Sequence, residues 1–486
     1  MNIVDELYQD TEEYRDSIAT VDKSGKRVWI HPKKPKGWFY NARTWFSFAL
    51  LALLFGIPFI KVNGEPLLLF NILERKFILF SIVFTPQDLH LFALAMVTLM
   101  VFIVLFTVVF GRIFCGWVCP QTIFMEMVFR KIEYWIDGDA SQQRKLAAAP
   151  WTGEKIGKRA LKYAIFFAIA VVIANTFLSY VIGVDEVEKI ITEPISMHTG
   201  GFVAMLIFSA IFFFVFTYMR EQVCLVVCPY GRLQGVLLVQ DSIVVHYDYV
   251  RGEPRGKISK QAASPAVELP IANQPAPKGD CVDCKLCVHV CPTGIDIRNG
   301  TQLECVNCTA CIDACDSVME KVNKPKGLIR YDSETGVKAS RDPQYKRKIF
   351  TTRVWAYTGV LIALIALQVF LFANRSEVET VILRTTGQLY QKIDGGYNNL
   401  YNFEVINKTA QDITGIEFKI KNPGGKIKFV GDAGTVAPKQ GLLKGVFFVE
   451  MPTESLESHK TKIEIEVWSN GKKVDEATTN FLGPIK

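Results

Sequence analysis

A chain of 486 residues has room for roughly two to four domains, and half of its residues are hydrophobic while its formal net charge is +7. Apolar bulk joined to an excess of Lys and Arg belongs to a membrane protein whose inner loops carry the positive charge. The basic residues cluster beside apolar stretches rather than along one soluble face, which excludes nucleic acid as a partner. All twelve cysteines fall into four motifs, which excludes a disulfide scaffold and favours a reducing compartment for them.

Residues 1–43 read as a cytoplasmic N-terminal segment. Met1–Gly37 is polar and has no signal-peptide core or small-residue cleavage site. Residues 44–240 read as a four-span membrane domain. Its apolar stretches are Thr44–Ile60, Leu91–Phe110, Leu161–Ile182 and Gly201–Met219, each long enough to cross a bilayer. Leu67–Phe84 is also apolar, but Glu74, Arg75 and Lys76 interrupt it, so it is expected to be interfacial or re-entrant. Arg112, Arg130, Lys131, Arg144, Lys145, Lys155, Lys158 and Arg159 crowd the loop between the second and third spans. The loop after the third span carries Asp185, Glu186, Glu188 and Glu193 against Lys189 alone. The positive-inside rule then puts the N-terminus and the 111–160 loop in the cytoplasm of a bacterial inner membrane.

Each cytoplasmic end of an outside-to-inside span carries one CxxxCP motif, Cys115-Gly-Trp-Val-Cys119-Pro120 and Cys224-Leu-Val-Val-Cys228-Pro229. Residues four apart share one helical face, so each pair is expected to present two sulfurs together, with the proline ending or kinking the helix. Cysteine is often a buried small hydrophobe. An identical motif at matching depth in two spans points instead to one site of four thiolates, suited to Cu(I), zinc or an iron–sulfur cluster, or to a reversible dithiol pair. His90 lies 25 residues before Cys115 and His198 lies 26 before Cys224, with Met96 and Met205 close behind. His90 and His198 are therefore candidate copper or haem ligands at the outer mouth, against the plainer reading of interfacial side chains.

Residues 241–280 read as a Pro-rich linker, marked by Pro254, Pro265, Pro270, Pro275 and Pro277. Residues 281–345 then carry Cys281-x2-Cys284-x2-Cys287-x3-Cys291-Pro292 and, 24 residues on, Cys305-x2-Cys308-x2-Cys311-x3-Cys315. This is the bacterial two-cluster ferredoxin run, in which the fourth cysteine of each copy serves the other cluster. The expected ligand sets are Cys281, Cys284, Cys287 and Cys315 for one [4Fe–4S] cluster, and Cys305, Cys308, Cys311 and Cys291 for the second. Structural zinc uses separated CxxC pairs, not triplets with a trailing fourth ligand. A fifth span covers Trp355–Ala373, within the assigned boundaries 353–373, preceded by Lys346, Arg347, Lys348 and Arg353. That keeps the ferredoxin region cytoplasmic and puts 374–486 outside. There, alternating stretches at Tyr401–Asn407, Gly415–Lys421, Val446–Met451 and Lys462–Trp468, separated by turns at Asn422–Gly425 and Asn470-Gly471, predict an Ig-like β-sandwich. The fold class is a polytopic α-helical membrane protein of five spans, with a cytoplasmic 2[4Fe–4S] ferredoxin domain and a C-terminal β domain.

The two CxxxCP motifs occur together with Tyr247-Asp248, Arg251-Gly-Glu-Pro-Arg-Gly256, Cys291-Pro-Thr-Gly-Ile-Asp-Ile-Arg-Asn-Gly300, Cys311-Ile-Asp-Ala-Cys-Asp316 and Gly327-Leu-Ile-Arg-Tyr331. In that order they resemble the cytochrome c oxidase accessory proteins of the CcoG/FixG (RdxA) family, over nearly the whole chain. The resemblance implies a role in assembling cbb(3)-type haem–copper oxidase, by a cupric reductase activity that turns Cu(II) into Cu(I) for delivery. It makes Cys115, Cys119, Cys224 and Cys228 the copper or redox site and the eight ferredoxin cysteines the electron store. Implied partners are copper ions, copper chaperones or oxidase subunits, the lipid bilayer and an unidentified electron donor. Two alternatives differ in class: a copper-carrying assembly factor without reductase activity, and a membrane quinol dehydrogenase serving an extracytoplasmic partner.

Overall fold

The computed structural model describes residues 20–21, 24, 26–62, 64–72, 76–80, 82–84, 88–257, 279–340, 342, 344–345, 349–385, 387, 390–409, 411–431, 434–456 and 458–484. Most of the Pro-rich stretch, the start of the N-terminal segment and the basic trio at 346–348 lie outside these residues. The chain divides into two compact units, Met1–Ile57 with Met96–Ser179 and Val184–Leu364, and Pro58–Ala95 with Tyr180–Gly183 and Ile365–Lys486. Among the described residues, five helices are long and apolar enough to cross a membrane: Trp38–Phe59, Leu89–Phe110, Gly153–Ile182, Thr199–Met219 and Thr352–Ala373. Each contains or closely overlaps one of the expected spans.

The first unit is organised by aromatic packing around the helical run that follows Cys119. Phe129 is fully buried, stacks on Phe216 at 4.5 Å and meets Phe166 edge-on at 4.7 Å. The ring contacts tie that run to the third and fourth spans. Both CxxxCP regions are flanked by π-helical turns, Phe124–Phe129 after the first and Val215–Met219 before the second. Such turns widen the helix locally and are frequent at functional sites.

The ferredoxin domain in the same unit is larger than its cysteines suggest. Val244–Tyr247, within the stretch expected to be linker, is a buried strand that pairs antiparallel with Ile329–Asp332. The helices Leu286–His289 and Ala310–Lys321 carry the ends of the two cysteine triplets. Composition concealed the strand because its four residues precede the proline-rich run without a boundary signal.

In the second unit, Leu67–Phe84, expected to be interfacial or re-entrant, folds as an antiparallel sheet of Leu68–Asn71, Lys76–Leu79 and Ile82–Phe84. Lys76 opens the second strand, Glu74 and Arg75 lie outside the described residues, and Leu69 and Ile78 pair across the first two strands with their side chains buried. Period-two alternation, not overall apolarity, was the informative pattern. Asp88 is buried and holds Arg375 at 2.7 Å and Lys408 at 2.8 Å.

The C-terminal domain is a two-sheet sandwich. One sheet runs Lys426–Val430, Leu442–Pro452, Gly396–Asn407, Val378–Arg384, with Gln391–Ile393 added to Gly396–Asn407. The other runs Ile416–Ile420, Lys460–Ser469, Lys472–Leu482. Alternate residues point inward, so Tyr401, Phe403, Val405, Phe447, Ile463, Ile465 and Val467 form a dry core. Asn470 and Gly471, both at positive φ, close the last hairpin, the signature of a tight primed turn.

Candidate electron-transfer site

The two cysteine triplets of the ferredoxin domain fold alike. Asp283 and Lys285 in the first, and Asn307 and Thr309 in the second, have φ between 49° and 64° at equivalent positions. Left-handed backbone is uncommon for such residues, and two such turns wrap each triplet around a hollow. Cys281, Cys284, Cys287 and Cys315 line one small cavity. Cys305, Cys308, Cys311 and Cys291 line a second, which Cys287 also borders. The fourth cysteine of each run thus sits with the other run's triplet, as the two-cluster spacing requires.

The chemistry of these donor sets fits a cationic cluster. Burial pushes the Cys287 and Cys305 thiols up to about 12 and that of Cys308 to about 11. Thiols so desolvated become thiolates only against compensating positive charge, which iron supplies when bound. The apolar walls, among them Val245, Ile295, Ile297 and Val306 at one cavity and Met319, Leu328 and Ile329 at the other, exclude water from the sulfurs.

The CxxxCP motifs adopt a common local structure that differs from the helical face expected of them. Cys115 lies in the short helix Ile113–Trp117 and Cys224 in the π-turn Val223–Val227, but Cys119 and Cys228 lie beyond these turns with extended ψ of 122° and 111°. Each is the N-cap of a new helix whose first residue is the proline. Proline is preorganised for that first position, so here it starts a helix rather than breaking one. Cys119 N–H donates to Phe114 at 2.9 Å and Cys228 N–H to Val223 at 2.8 Å, the same five-residue closure in both copies.

The two motifs face one another. Cys224 is pushed up to about 12, first by burial and then by the Cys119, Cys115 and Cys228 sulfurs; burial likewise raises Cys115. Among the described residues, no three Cys, His, Asp or Glu side chains are gathered as tightly as a single-ion site requires.

Packing joins this four-sulfur region to the second ferredoxin cavity. Cys115 packs into the cluster of Val290, Val306, Cys308, Ala310 and Ala314. A Cβ added at Gly116 would lie 2.5 Å from the Val306 carbonyl oxygen and 2.7 Å from that of Asn307, so only glycine permits this approach. Arg43, at 4% exposure in the first span, donates from Nε to the Gly116 carbonyl at 3.1 Å and from Nη1 to the Cys308 carbonyl at 2.8 Å. In return, Asp313 of the ferredoxin helix accepts from the Phe39 and Tyr40 amides at 3.1 and 2.8 Å, satisfying the first turn of that span. Trp117 Nε1 donates to the Tyr331 hydroxyl at 3.0 Å, which donates to the Asn307 carbonyl at 3.1 Å.

The sequence did not mark Arg43 as a brace, nor Arg112 and Gln234 as neighbours of Cys115. Gln234 Oε1 accepts from Arg112 Nε at 2.8 Å and from the Cys115 thiol at 3.2 Å. Only the adjacency of Arg112 to the motif hinted at this. His90 is exposed in the first turn of its helix, and His198 Nε2 lies 2.6 Å from Glu193 Oε2.

Comparison with known proteins decides the family. A 4Fe-4S dicluster domain profile matches residues 219–334, a 4Fe-4S binding domain profile residues 92–138, and the IG-like fold at the C-terminus of FixG residues 368–484. The chain is 32% identical to protein RdxB of Cereibacter sphaeroides over 400 residues, covering 79% of this chain and 80% of that one. It is 31% identical to RdxA of the same organism, over 79% of this chain and 81% of that one. Identity to the nitrogen fixation protein FixG of Rhizobium meliloti is also 31%, over 84% and 82%. The chain belongs to the FixG/RdxA family. It is a multi-pass, iron–sulfur, oxidoreductase-like member with two 4Fe-4S-binding domains and an Ig-like C-terminal domain. The profile over 92–138 includes Cys115 and Cys119, and the dicluster profile includes Cys224 and Cys228 along with the ferredoxin cysteines.

Proposed function

We propose that this FixG/RdxA-family chain reduces Cu(II) to Cu(I) at Cys115, Cys119, Cys224 and Cys228, in support of cbb(3)-type oxidase assembly. One observation carries the reading: Cys115 packs against the buried cluster that includes Val306 and Cys308, both of which line the second ferredoxin cavity. Clusters held by Cys281, Cys284, Cys287, Cys315 and by Cys305, Cys308, Cys311, Cys291 supply single electrons, and one Cu(II) consumes one electron to become Cu(I). Thiolates hold Cu(I) in preference to Cu(II), so the site that receives the electron also retains the product. Copper uptake draws the four sulfurs inward and displaces their protons. In this reading the ferredoxin domain faces the cytoplasm and the Ig-like domain the opposite side, as the charge asymmetry of the loops requires.

The test is anaerobic. The purified protein is reduced, freed of reductant and given Cu(II), while cluster absorbance and a Cu(I)-specific chelator are read together. Cluster reoxidation with stoichiometric Cu(I), lost in the C115S/C224S double variant whose clusters stay spectroscopically normal, is the expected result. Copper binding with clusters that stay reduced refutes the reductase and leaves a carrier. Cluster bleaching by a quinol without any response to copper favours the quinol dehydrogenase.

A further inference from the structure

Arg112 follows Gly111, whose φ of 54° turns the chain sharply at the end of the second span. A Cβ there would lie 2.3 Å from the Val244 side chain, so the turn is pressed against the first strand of the ferredoxin sheet. The turn carries the guanidinium inward until the residue is 3% exposed. Its Nε donates to Gln234 Oε1 at 2.8 Å, and its Nη2 lies 3.1 Å from the Cβ position of Gly231, packed beside the Cys224 carbonyl. Nη1 is buried with no hydrogen-bond partner, as is Nε2 of the fully buried Gln234. Among the described residues Arg112 forms no ion pair with a carboxylate.

A buried cation without an anion is strongly unfavourable, since desolvation is not offset by attraction. The groups with negative charge to offer here are sulfurs. Cys115 lies three residues on and shares Gln234 with Arg112, while Cys305 lines the cavity whose Val306 the Cys115–Gly116 turn approaches. The guanidinium acts electrostatically on both Cys115 and Cys305.

We propose that Arg112 is a positioning residue, the shared counter-cation of two electron-rich centres: the four CxxxCP thiolates and the cavity of Cys291, Cys305, Cys308 and Cys311. This rests on the four-thiolate reading above and adds a regulator to it. A positive charge beside the nearer cavity favours the reduced state there over the more distant cavity of Cys281, Cys284, Cys287 and Cys315. Electrons therefore collect next to the thiolates. The same charge lowers the energy of the thiolate-rich, metal-loaded site. No proton or bond is exchanged at Arg112; it acts through its field.

Two measurements on the full-length, cluster-loaded protein test this. In an anaerobic potentiometric titration read by electron paramagnetic resonance, R112Q lowers the reduction equilibrium constant of one cluster at least tenfold, 59 mV for one electron, and leaves the other in place. In a competition titration against a chromophoric chelator, Zn(II), a redox-inert probe of the thiolates, binds at least tenfold more weakly. R112K, which keeps the charge, stays close to the parent in both. Gln234→Glu, which pairs the guanidinium in place and needs no repacking, moves both in the same direction as R112Q and serves where R112Q fails to assemble. Unchanged potentials and zinc affinity in R112Q and Gln234→Glu overturn the proposal. So does an R112K as impaired as R112Q, which assigns Arg112 a packing role. Zinc binding that survives in C115S/C224S refutes the four-thiolate reading itself, and with it the shared role, whatever R112Q does.

Discussion

The two CxxxCP motifs share a sequence and a local fold but sit in unlike surroundings. Around the first, the Cys115–Gly116 turn lies on the Val306–Asn307 backbone, Cys115 packs with Cys308, and the Arg112 cation is adjacent. Around the second, Cys224 lines a cavity with Gln121, Thr122, Met125, Glu126, Arg220, Glu221 and Val306, so a thioether and two carboxylates stand there beside a cation. Duplication supplies four equivalent sulfurs; packing makes them unequal. In the proposed reading the first motif receives electrons and the second meets an incoming soft cation.

The harshest way to break this contrast is G116V. Valine adds three carbons, the first of them already 2.5 Å from a backbone oxygen, so the Cys305–Cys308 loop must move away from the first motif. The expected outcome is loss of about half the cluster absorbance per protein, since only one of the two cavities abuts Gly116. Full absorbance in G116V would mean the contact does not constrain the loop. Single cysteine changes sharpen the contrast further. C115S is expected to slow Cu(I) formation on the order of a hundredfold, as a misplaced reaction partner does, with a smaller loss of copper affinity. C224S is expected to show the opposite balance. Identical behaviour of the two variants in a stopped-flow and chelator assay erases the proposed division of roles.

How much of this was legible in the sequence depended on the range of the interactions involved. Cysteine spacing is a local constraint imposed by cluster geometry, so the crossing of Cys291 and Cys315 between cavities could be anticipated from spacing alone. The alternation at Tyr401–Asn407 and Lys462–Trp468 is local too, and the sandwich followed from it. The approach of Gly116 to Val306 spans 190 residues of chain, and Arg43 to Cys308 spans 265; nothing in their neighbourhoods marks them. The motif prolines misled for a different reason. Proline inside a helical pattern and proline opening a new helix look alike until the preceding residue's conformation is known, and Cys119 and Cys228 are extended. The short strands near Leu67–Phe84 were hidden because apolar content outweighed period in reading a stretch beside true spans.

The smallest expected effect concerns what holds the two copies together. Glu133, in the helix Arg130–Ile136 beyond the first motif, receives both forks of Arg220 at 2.9 and 2.7 Å, and Arg220 stands four residues before Cys224 with φ of 54°. Burial alone would raise this carboxyl, but Arg220 and then Lys162 outweigh it and hold it down at about 2. A carboxylate depressed in the folded state contributes stability that is complete above its unfolded value of about 4.3 and is lost as pH falls toward the folded one. The bridge's contribution is therefore constant between pH 5 and 8. Below about pH 4 the melting temperature in detergent, followed by circular dichroism, should fall, and E133Q should remove that part of the decline while melting lower at neutral pH because it leaves Arg220 without its anion. A variant that matches the parent at every pH would show that the two motifs keep their register without the bridge, and that the Gly116 and Arg43 contacts to the ferredoxin loop suffice to hold the first motif in place.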